Sequence, residues 1–112
     1  MLFLVELDHV KSGDLPTQEI ARPFIEQIIL PTLARIEELV SEKKTVAGGL
    51  AAGRISPRLI IEAESATEVD RMLLSIPLWP AAETRVTPLV SVNERRHRVQ
   101  EVLKRLPAQA EK

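Results

Sequence analysis

The segment Thr45–Ser65, TVAGGLAAGRISPRLIIEAES, contains two apolar runs separated by a group of turn-forming residues. The runs are Thr45–Ala52 and Arg58–Ala63, and between them Gly53–Pro57 holds the glycine, serine and proline that favour a change of chain direction. The segment therefore predicts a β-hairpin. The two glycines at 48–49 lie inside the first strand, where they predict a β-bulge or a close approach of another backbone.

A long helical pattern precedes the hairpin and a short one follows it. From Thr17 to Ser41, apolar residues recur mostly at helical spacing. Pro31 predicts a kink or a break near Leu30, because proline has no N–H to donate and its ring clashes with the preceding turn. After the hairpin, Ser65–Glu68 reads Ser-Ala-Thr-Glu, a capping box that predicts the start of a second helix.

Strand patterns lie near both ends of the chain. Met1–Val10 alternates in the way of a half-buried strand, and Thr84–Val90 forms another strand pattern. Pro88 cannot donate to a ladder, so the second of these should be an edge strand or end there. A further capping box, Ser91–Glu94, predicts a C-terminal helix that Pro107 ends.

The resulting order, β-α-β-β-α-β plus a helix, predicts an α+β fold of the ferredoxin-like kind, with strand order 4-1-3-2 and helices on one face of the sheet. We expect residues 1–90 to form this domain and residues 91–112 to form the C-terminal helix and tail. The helix-covered face is expected to hold Phe3, Val5, Leu7, Leu59, Ile61, Ala63 and Val86. The open face is expected to hold Leu2, Leu4, Glu6, Asp8, Arg58, Ile60, Glu62, Arg85, Thr87 and Leu89.

The open face mixes aliphatic residues with charges of both signs. Left uncovered, it would expose an apolar patch that monomers usually avoid, so we expect a homodimer or a higher homo-oligomer. The apolar turn Ser75–Pro80, SIPLWP, is expected at the rim of that interface. The residues predicted to make the association are Leu4, Ile60, Leu78, Trp79 and Leu89.

Composition excludes several classes of partner and site. The 112 residues carry a formal net charge of -1, which gives no electrostatic reason to expect nucleic acid or an anionic membrane. No cysteine is present, so disulfides and thiolate chemistry are excluded, and no cluster of histidine and carboxylate at ligand spacing predicts a metal. No motif for a cofactor occurs, and the apolar start of the chain is too short for a signal peptide or spanning helix. We expect a cytoplasmic protein without a cofactor.

Three segments resemble the muconolactone isomerase family over roughly residues 1–90. They are MLFLVELD at 1–8, AGRISPRLIIEAES at 52–65 and SIPLWPAAETRVTPL at 75–89. The last is the most specific, because it keeps two prolines around an apolar tripeptide before a strand ending in Val-Thr-Pro-Leu. The resemblance implies a ferredoxin-like dimeric α/β barrel, assembled in the isomerase into larger rings, with pockets near subunit boundaries.

The family's chemistry implies particular residues. The isomerase moves a double bond in a small lactone by taking a proton from one carbon and returning it to another, which needs a carboxylate base and cationic groups. Aligned without gaps from Ala52–Arg54, the family's helix glutamate falls on Thr32. Its basic and aromatic strand positions fall on Thr45–Ala51, which contains no such residue. A shift of one helical turn makes Glu26 or Glu37 the candidate base.

Each of the other candidate site residues also has a purely structural interpretation. Arg54 could hold an anionic ligand or be a solvated turn arginine, and Arg58 is a second arginine that could face this ligand. Glu6, Glu62 and Arg85 should lie on adjacent strands, where they could form a pocket acid with a cationic partner or a cross-strand ion pair at a dimer interface.

Trp79 could line a pocket or pack against a partner subunit. His9, the only histidine near the predicted sheet, is a third candidate base or else a hydrogen-bonded surface residue.

Two functions therefore remain open. The first is an isomerase-type enzyme that acts on a small hydrophobic or anionic molecule between the sheet and the kinked helix. The second is a non-catalytic oligomeric module, for ligand binding or assembly, that has lost the isomerase residues. The residues do not name a substrate.

Overall fold

Helices and strands follow the predicted order in the computed structural model, which describes residues 1–9 and 18–108. The elements are β1 Leu2–His9, α1 Gln18–Phe24, a π-helical segment Ile25–Ile29, α2 Leu30–Ser41, β2 Thr45–Leu50, β3 Pro57–Glu62, α3 Ala66–Leu74, a 3₁₀ turn Trp79–Ala81, β4 Ala82–Leu89 and α4 Val92–Arg105. The predicted strand end at Val10, the predicted helix start at Thr17 and the tail at 109–112 lie outside the described residues.

The four strands form one antiparallel sheet in the order β2-β3-β1-β4, which confirms the predicted order. In the centre, Leu4 of β1 lies opposite Ile60 on one side and opposite Thr87 on the other. β4 is an edge strand, as Pro88 predicted. The sheet therefore presents two complete faces, one covered by helices and one open.

The core lies between the sheet and the helices. Phe3, Val5 and Leu7 are buried at alternate positions of β1, as the period of a strand requires. They pack with residues of β3, the helices and the turn after α3: Ile36, Leu39, Leu59, Ile61, Ala63, Val69, Met72, Leu73, Ile76 and Leu78.

Two residues differ from their predicted environment. Leu78 was expected at a subunit interface, but it is completely buried in the core of its own chain, because its turn folds in beneath α2. Val86 lies on the helix-covered side, opposite Val5, yet its side chain remains 38% exposed. β4 is at the edge of the sheet, and only a groove beside α3 lies over Val86.

The hairpin contains the predicted bulge and the predicted close approach. The register shifts between Thr45 and Ala47, which leaves Val46 as the extra residue of β2. Gly48 has a φ of 130° and lies against the backbone of β3, where a Cβ would come within 2.2 Å of the Arg58 carbonyl oxygen. β2 ends two residues earlier than predicted, at Leu50, and β3 keeps the predicted length but is displaced by one residue, since it begins at Pro57.

The predicted break near Pro31 takes the form of a widened turn. Residues Ile25–Ile29 are π-helical, and the Leu30 N–H donates to the carbonyl of Ile25, five residues back. Pro31 then stands in the first turn of α2, directly after this widened turn, which takes the place of the predicted break.

α4 extends away from the sheet and helices. None of its 14 residues is buried, and the molecule measures 71 × 33 × 20 Å. The Cα radius of gyration is 19.6 Å, against about 13 Å for a compact chain of this length. The predicted division near residue 90 stays a prediction, although it coincides with the point where the chain leaves the sheet.

Candidate functional site

Two groups of side chains are brought together by the sheet. One is the sheet-face cluster, which consists of Glu6, Asp8, Arg54, Arg58 and Arg85. The other is the strand-end group, which consists of His9 at the end of β1, Phe24, whose ring lies beside it, and Ala82, which lies opposite it on β4. Because successive residues of a strand point to opposite faces, Asp8 and His9 belong to opposite sides of the sheet.

Asp8 is the centre of the sheet-face cluster. Its carboxylate accepts two hydrogen bonds from Nη2 of Arg58, at 2.9 and 3.2 Å, and one from Nη2 of Arg54 at 3.4 Å. Nη1 of Arg58 also donates to the carbonyl oxygens of Leu7 and Pro57. The Arg58 guanidinium is therefore held in place from three sides.

Glu6 extends the same cluster along β1. It lies opposite Arg58 on one neighbouring strand and opposite Arg85 on the other. The Glu6 carboxylate is 3.4 Å from Nε of Arg58 and 4.0 Å from Nη1 of Arg85. Two acids and three arginines thus pair across three strands and the hairpin loop. Of the charges expected to pair across strands, Glu6 pairs with Arg85, whereas Glu62 pairs with the N-terminal amine of Met1.

The surroundings of Asp8 favour its charged form. The hydrogen bond from Arg58 is the largest cause that lowers the pKa of Asp8, and a hydrogen bond from Ser56 lowers it further. Partial desolvation opposes them, and the charges of Arg58 and Arg54 add to the lowering. Asp8 is therefore a fixed anion near neutral pH.

The strand-end group lies at the last residue of β1, His9, which Ala82 of β4 faces across the ladder. The His9 ring is half-buried and lies 5.1 Å from the ring of Phe24, centroid to centroid. Phe24, Ile28, Trp79 and Ala82 are partly buried and pack against the edge of the core. Phe24 directly precedes the π-helical segment, and Ile28 lies within it. π-helical turns often occur at functional sites.

The two predicted glutamate candidates lie apart from both groups. Glu26 is exposed and pairs with Nε of Arg22 at 3.2 Å. Glu37 is exposed on α2. Neither is joined to Arg54 or Arg58 by a contact among the described residues, so the structure does not assemble a carboxylate and an arginine around one cavity there.

Thr32 occupies the position where the family's helix glutamate falls. It is completely buried, and its hydroxyl accepts a hydrogen bond from the backbone N–H of Leu78 at 3.0 Å. The hydroxyl thereby fixes the apolar turn to α2. The partner of Thr32 was not predictable, because nothing in the local sequence indicates which distant N–H a buried hydroxyl meets.

Asp8 was recognised as an open-face residue but not as the acceptor for two arginines. Its signal was the alternation Glu6-Leu7-Asp8 opposite Arg58, which places two acids on one face of β1. Arg54 reaches Asp8 from the hairpin loop, and loop conformation carries no such periodicity. The predicted site roles of His9, Glu26, Glu37, Arg54, Arg58 and Trp79 stay predictions.

No three histidine or acidic side chains within residues 1–9 and 18–108 come close enough together to hold a metal ion. No helix in the same ranges is long and apolar enough to cross a membrane. The predicted cytoplasmic location stays a prediction.

Comparison with known proteins gives the family. The family model described as muconolactone delta-isomerase matches residues 1–95. The chain belongs to this family. No protein of curated function matches the sequence.

Two solved structures support the fold. The crystal structure of muconolactone isomerase is similar with a TM-score of 0.64 and 17% sequence identity, covering 100% of this chain and 97% of that one. The second is 5-chloro-2-hydroxyhydroquinone dehydrochlorinase (TftG) from Burkholderia phenoliruptrix AC1100, in complex with 2,5-dihydroxybenzoquinone. Its TM-score is 0.61 and its identity 28%, over 84% of this chain and 98% of that one. The ferredoxin-like fold is therefore confirmed, while the two relatives carry different activities.

Proposed function

We propose that this protein catalyses a proton transfer on a small oxygenated ring, and that His9 moves the proton. The observation that supports this most is the position of His9, half-buried at the end of β1 on the helix-covered side. An imidazole can accept and return a proton near neutral pH, which an arginine cannot. His9 is also the only titratable residue of β1 on that side of the sheet.

The surroundings of His9 fit a ring. The Phe24 ring lies 5.1 Å from the His9 ring, and Phe24, Ile28 and Trp79 are partly buried against the core. Pockets for small molecules are likewise mostly apolar with few polar groups. Both relatives fit this chemistry: one is named as an isomerase, and the other is a dehydrochlorinase with a dihydroxybenzoquinone bound. In an isomerisation, the base would take a proton from one ring carbon and return it to another, so that the atoms balance without a co-reactant.

The predicted roles of Arg54 and Arg58 concern the other face of the sheet. Their guanidinium groups already pair with Asp8 and Glu6 there. A ligand carboxylate would have to displace one of these acids. We therefore propose His9, rather than Glu26 or Glu37, as the base. Arg54 and Arg58 have no role in this proposal, because they are paired with the acids of the opposite face.

The test is an absorbance assay of the purified protein with small lactones and hydroxyquinones. We expect His9→Gln to lower kcat by about 100-fold or more, the usual contribution of a general base. His97→Gln is the matched control, because His97 is the other histidine of the chain and lies exposed on α4. Full activity in His9→Gln, or its loss in Glu26→Gln or Glu37→Gln instead, would refute the assignment.

A second candidate is a non-catalytic ligand-binding module. Thr32 supports it, because a buried hydroxyl bonded to Leu78 stands where the family's glutamate falls. This candidate predicts that a lactone or quinone raises the melting temperature of the protein without being converted. Turnover of any such compound in the same samples would exclude it.

Under either function we propose that the protein is a homo-oligomer and that the open sheet face is one of its interfaces. Four half-buried aliphatic residues lie beside the sheet-face cluster there: Leu2, Leu4, Ile60 and Leu89. A second copy would cover these residues and leave the paired charges at the border, where ion pairs need little desolvation. This arrangement agrees with the dimeric barrel that the family resemblance implies.

A further inference from the structure

α4 has an apolar stripe that nothing in its own chain covers. Five of its flanking and internal residues are large, apolar and between 47% and 79% exposed: Val92, Val99, Val102, Leu103 and Leu106. At 100° per residue they fall within about 100° of the helix circumference, so they form one continuous stripe. A 14-residue helix of this kind is marginal in water unless it packs against something.

The sheet domain has an apolar groove of matching kind. It lies between α3 and the edge strand β4, has a volume of about 390 Å³, and is lined by Ala66, Thr67, Val69, Asp70, Leu73 and Val86. Val86 is the residue that should be covered by a helix and is not. The exposed Leu74 follows Leu73 at the end of α3 and adds apolar surface to that helix.

Charge gives the stripe and the groove a further match. α4 contains five basic and two acidic residues, so its net charge is +3, whereas the whole chain carries -1. The rest of the chain is therefore at -4. Asp70 is the charged residue that lines the groove, while the other charges of α3 are Glu68, which pairs with Lys44, and Arg71. A basic helix is attracted to such a surface.

We propose that α4 of one copy packs, through its apolar stripe, into the α3/β4 groove of a second copy. α4 begins only three residues after Leu89, and no residue of α4 lines the groove of its own chain. A second copy supplies a groove with the matching apolar lining and opposite charge. This contact is separate from the open sheet face and does not depend on His9 or on catalysis.

Because the chain has no cysteine, disulfide trapping tests the contact directly. Two full-length variants are mixed, Val86→Cys and Leu103→Cys, one of them with a tag that changes its mass. Oxidation is expected to give a disulfide between the two variants, seen as a mixed dimer on a non-reducing gel. Ala47→Cys, exposed on the opposite edge strand β2, replaces Val86→Cys as the control and should give less than about a tenth of that product.

A second measurement guards against incidental cross-linking. Leu103→Glu places a charge in the stripe and should weaken the contact about ten-fold or more, measured by sedimentation equilibrium. His97→Glu adds the same charge on the far side of α4 and should leave the association unchanged. Both variants must show the circular dichroism of the wild type.

The outcomes separate cleanly. A further variant carries both Val86→Cys and Leu103→Cys. A disulfide within that one chain, with no mixed dimer between the single variants, would mean that α4 folds onto its own groove and would overturn the proposal. So would equal mixed dimer with the Ala47→Cys control, or equal association of Leu103→Glu and wild type. Loss of activity in His9→Gln has no bearing on any of these results.

Discussion

Asp8 accepts hydrogen bonds from two arginines, and this predicts a specific pH dependence. Its pKa is lowered in the folded protein, so the unfolded chain takes up the proton first as the pH falls. The stabilisation is complete above the ordinary carboxyl value of about 3.9 and is lost as the pH falls through the lower folded value. We expect urea unfolding to show a smaller loss of stability between pH 6 and pH 3 in Asp8→Asn than in wild type.

Glu42→Gln is the control for this experiment. Glu42 is exposed at the end of α2 and, within the described residues, makes no ion pair. The variant should therefore keep the wild-type dependence on pH. If Asp8→Asn and Glu42→Gln give the same curve, the pairing of Asp8 with Arg58 contributes nothing to stability in solution.

Thr32 predicts a cost for losing one buried hydroxyl. In Thr32→Val the backbone N–H of Leu78 would be left without its acceptor, which should lower the free energy of unfolding by about 1–3 kcal/mol. Thr32→Ser keeps the hydroxyl and loses only a methyl group, so a loss of about 1 kcal/mol is expected. Chemical denaturation of the two variants ranks them, and a Val variant at least as stable as the Ser variant would show that this hydrogen bond is dispensable.

Among the elements, the β2–β3 hairpin depends on one of its two adjacent glycines. Gly48→Ala should destabilise the protein by about 2–4 kcal/mol, because φ is 130° and the new Cβ would meet the Arg58 carbonyl. Gly49→Ala should change the free energy of unfolding by less than about 1 kcal/mol, since a Cβ there meets nothing within 4 Å. Thermal unfolding compares the pair, and similar melting temperatures would mean that Gly48 does not make this close approach.

The elements were predictable where the signal is local. Alternation placed Phe3, Val5 and Leu7 on the covered face, and Ser65 and Ser91 each accept a hydrogen bond from the backbone N–H three residues later, as their capping boxes predict. Periodicity and capping depend on residues a few positions apart, so one sequence is enough to read them.

The remaining features depend on contacts between distant segments. Leu78 follows a proline in an apolar turn. Its backbone N–H donates to the Thr32 hydroxyl, 46 residues earlier, and this distant contact fixes Leu78 in the core. Val86 has the alternation of a covered residue, but its coverage depends on where α3 ends. The site is less predictable still, since Arg54 reaches Asp8 from a loop and His9 meets Phe24 through an unusual helical turn.

At the scale of the whole molecule, the proposed sheet-face and α4 contacts use different surfaces, so they should be separable. Each chain has a mass of 12.5 kDa, and with both contacts we expect assemblies larger than a dimer by sedimentation velocity. A chain ending at Ser91 lacks α4 and should form a dimer through the open face. The truncation removes only the α4 contact, because residues 1–89 contain every strand of the sheet.

Ile60→Lys tests the other surface in the full-length chain. Ile60 is half-buried on the open face opposite Leu4, so a lysine there would place an unpaired charge between two sheets. We expect a smaller assembly that retains only the α4 contact. Val46→Lys adds the same charge on the exposed edge strand β2 and should keep the wild-type mass. If Ile60→Lys also keeps that mass, the open face is not an interface, and the half-buried aliphatic residues of β1 and β3 are simply tolerated at the surface.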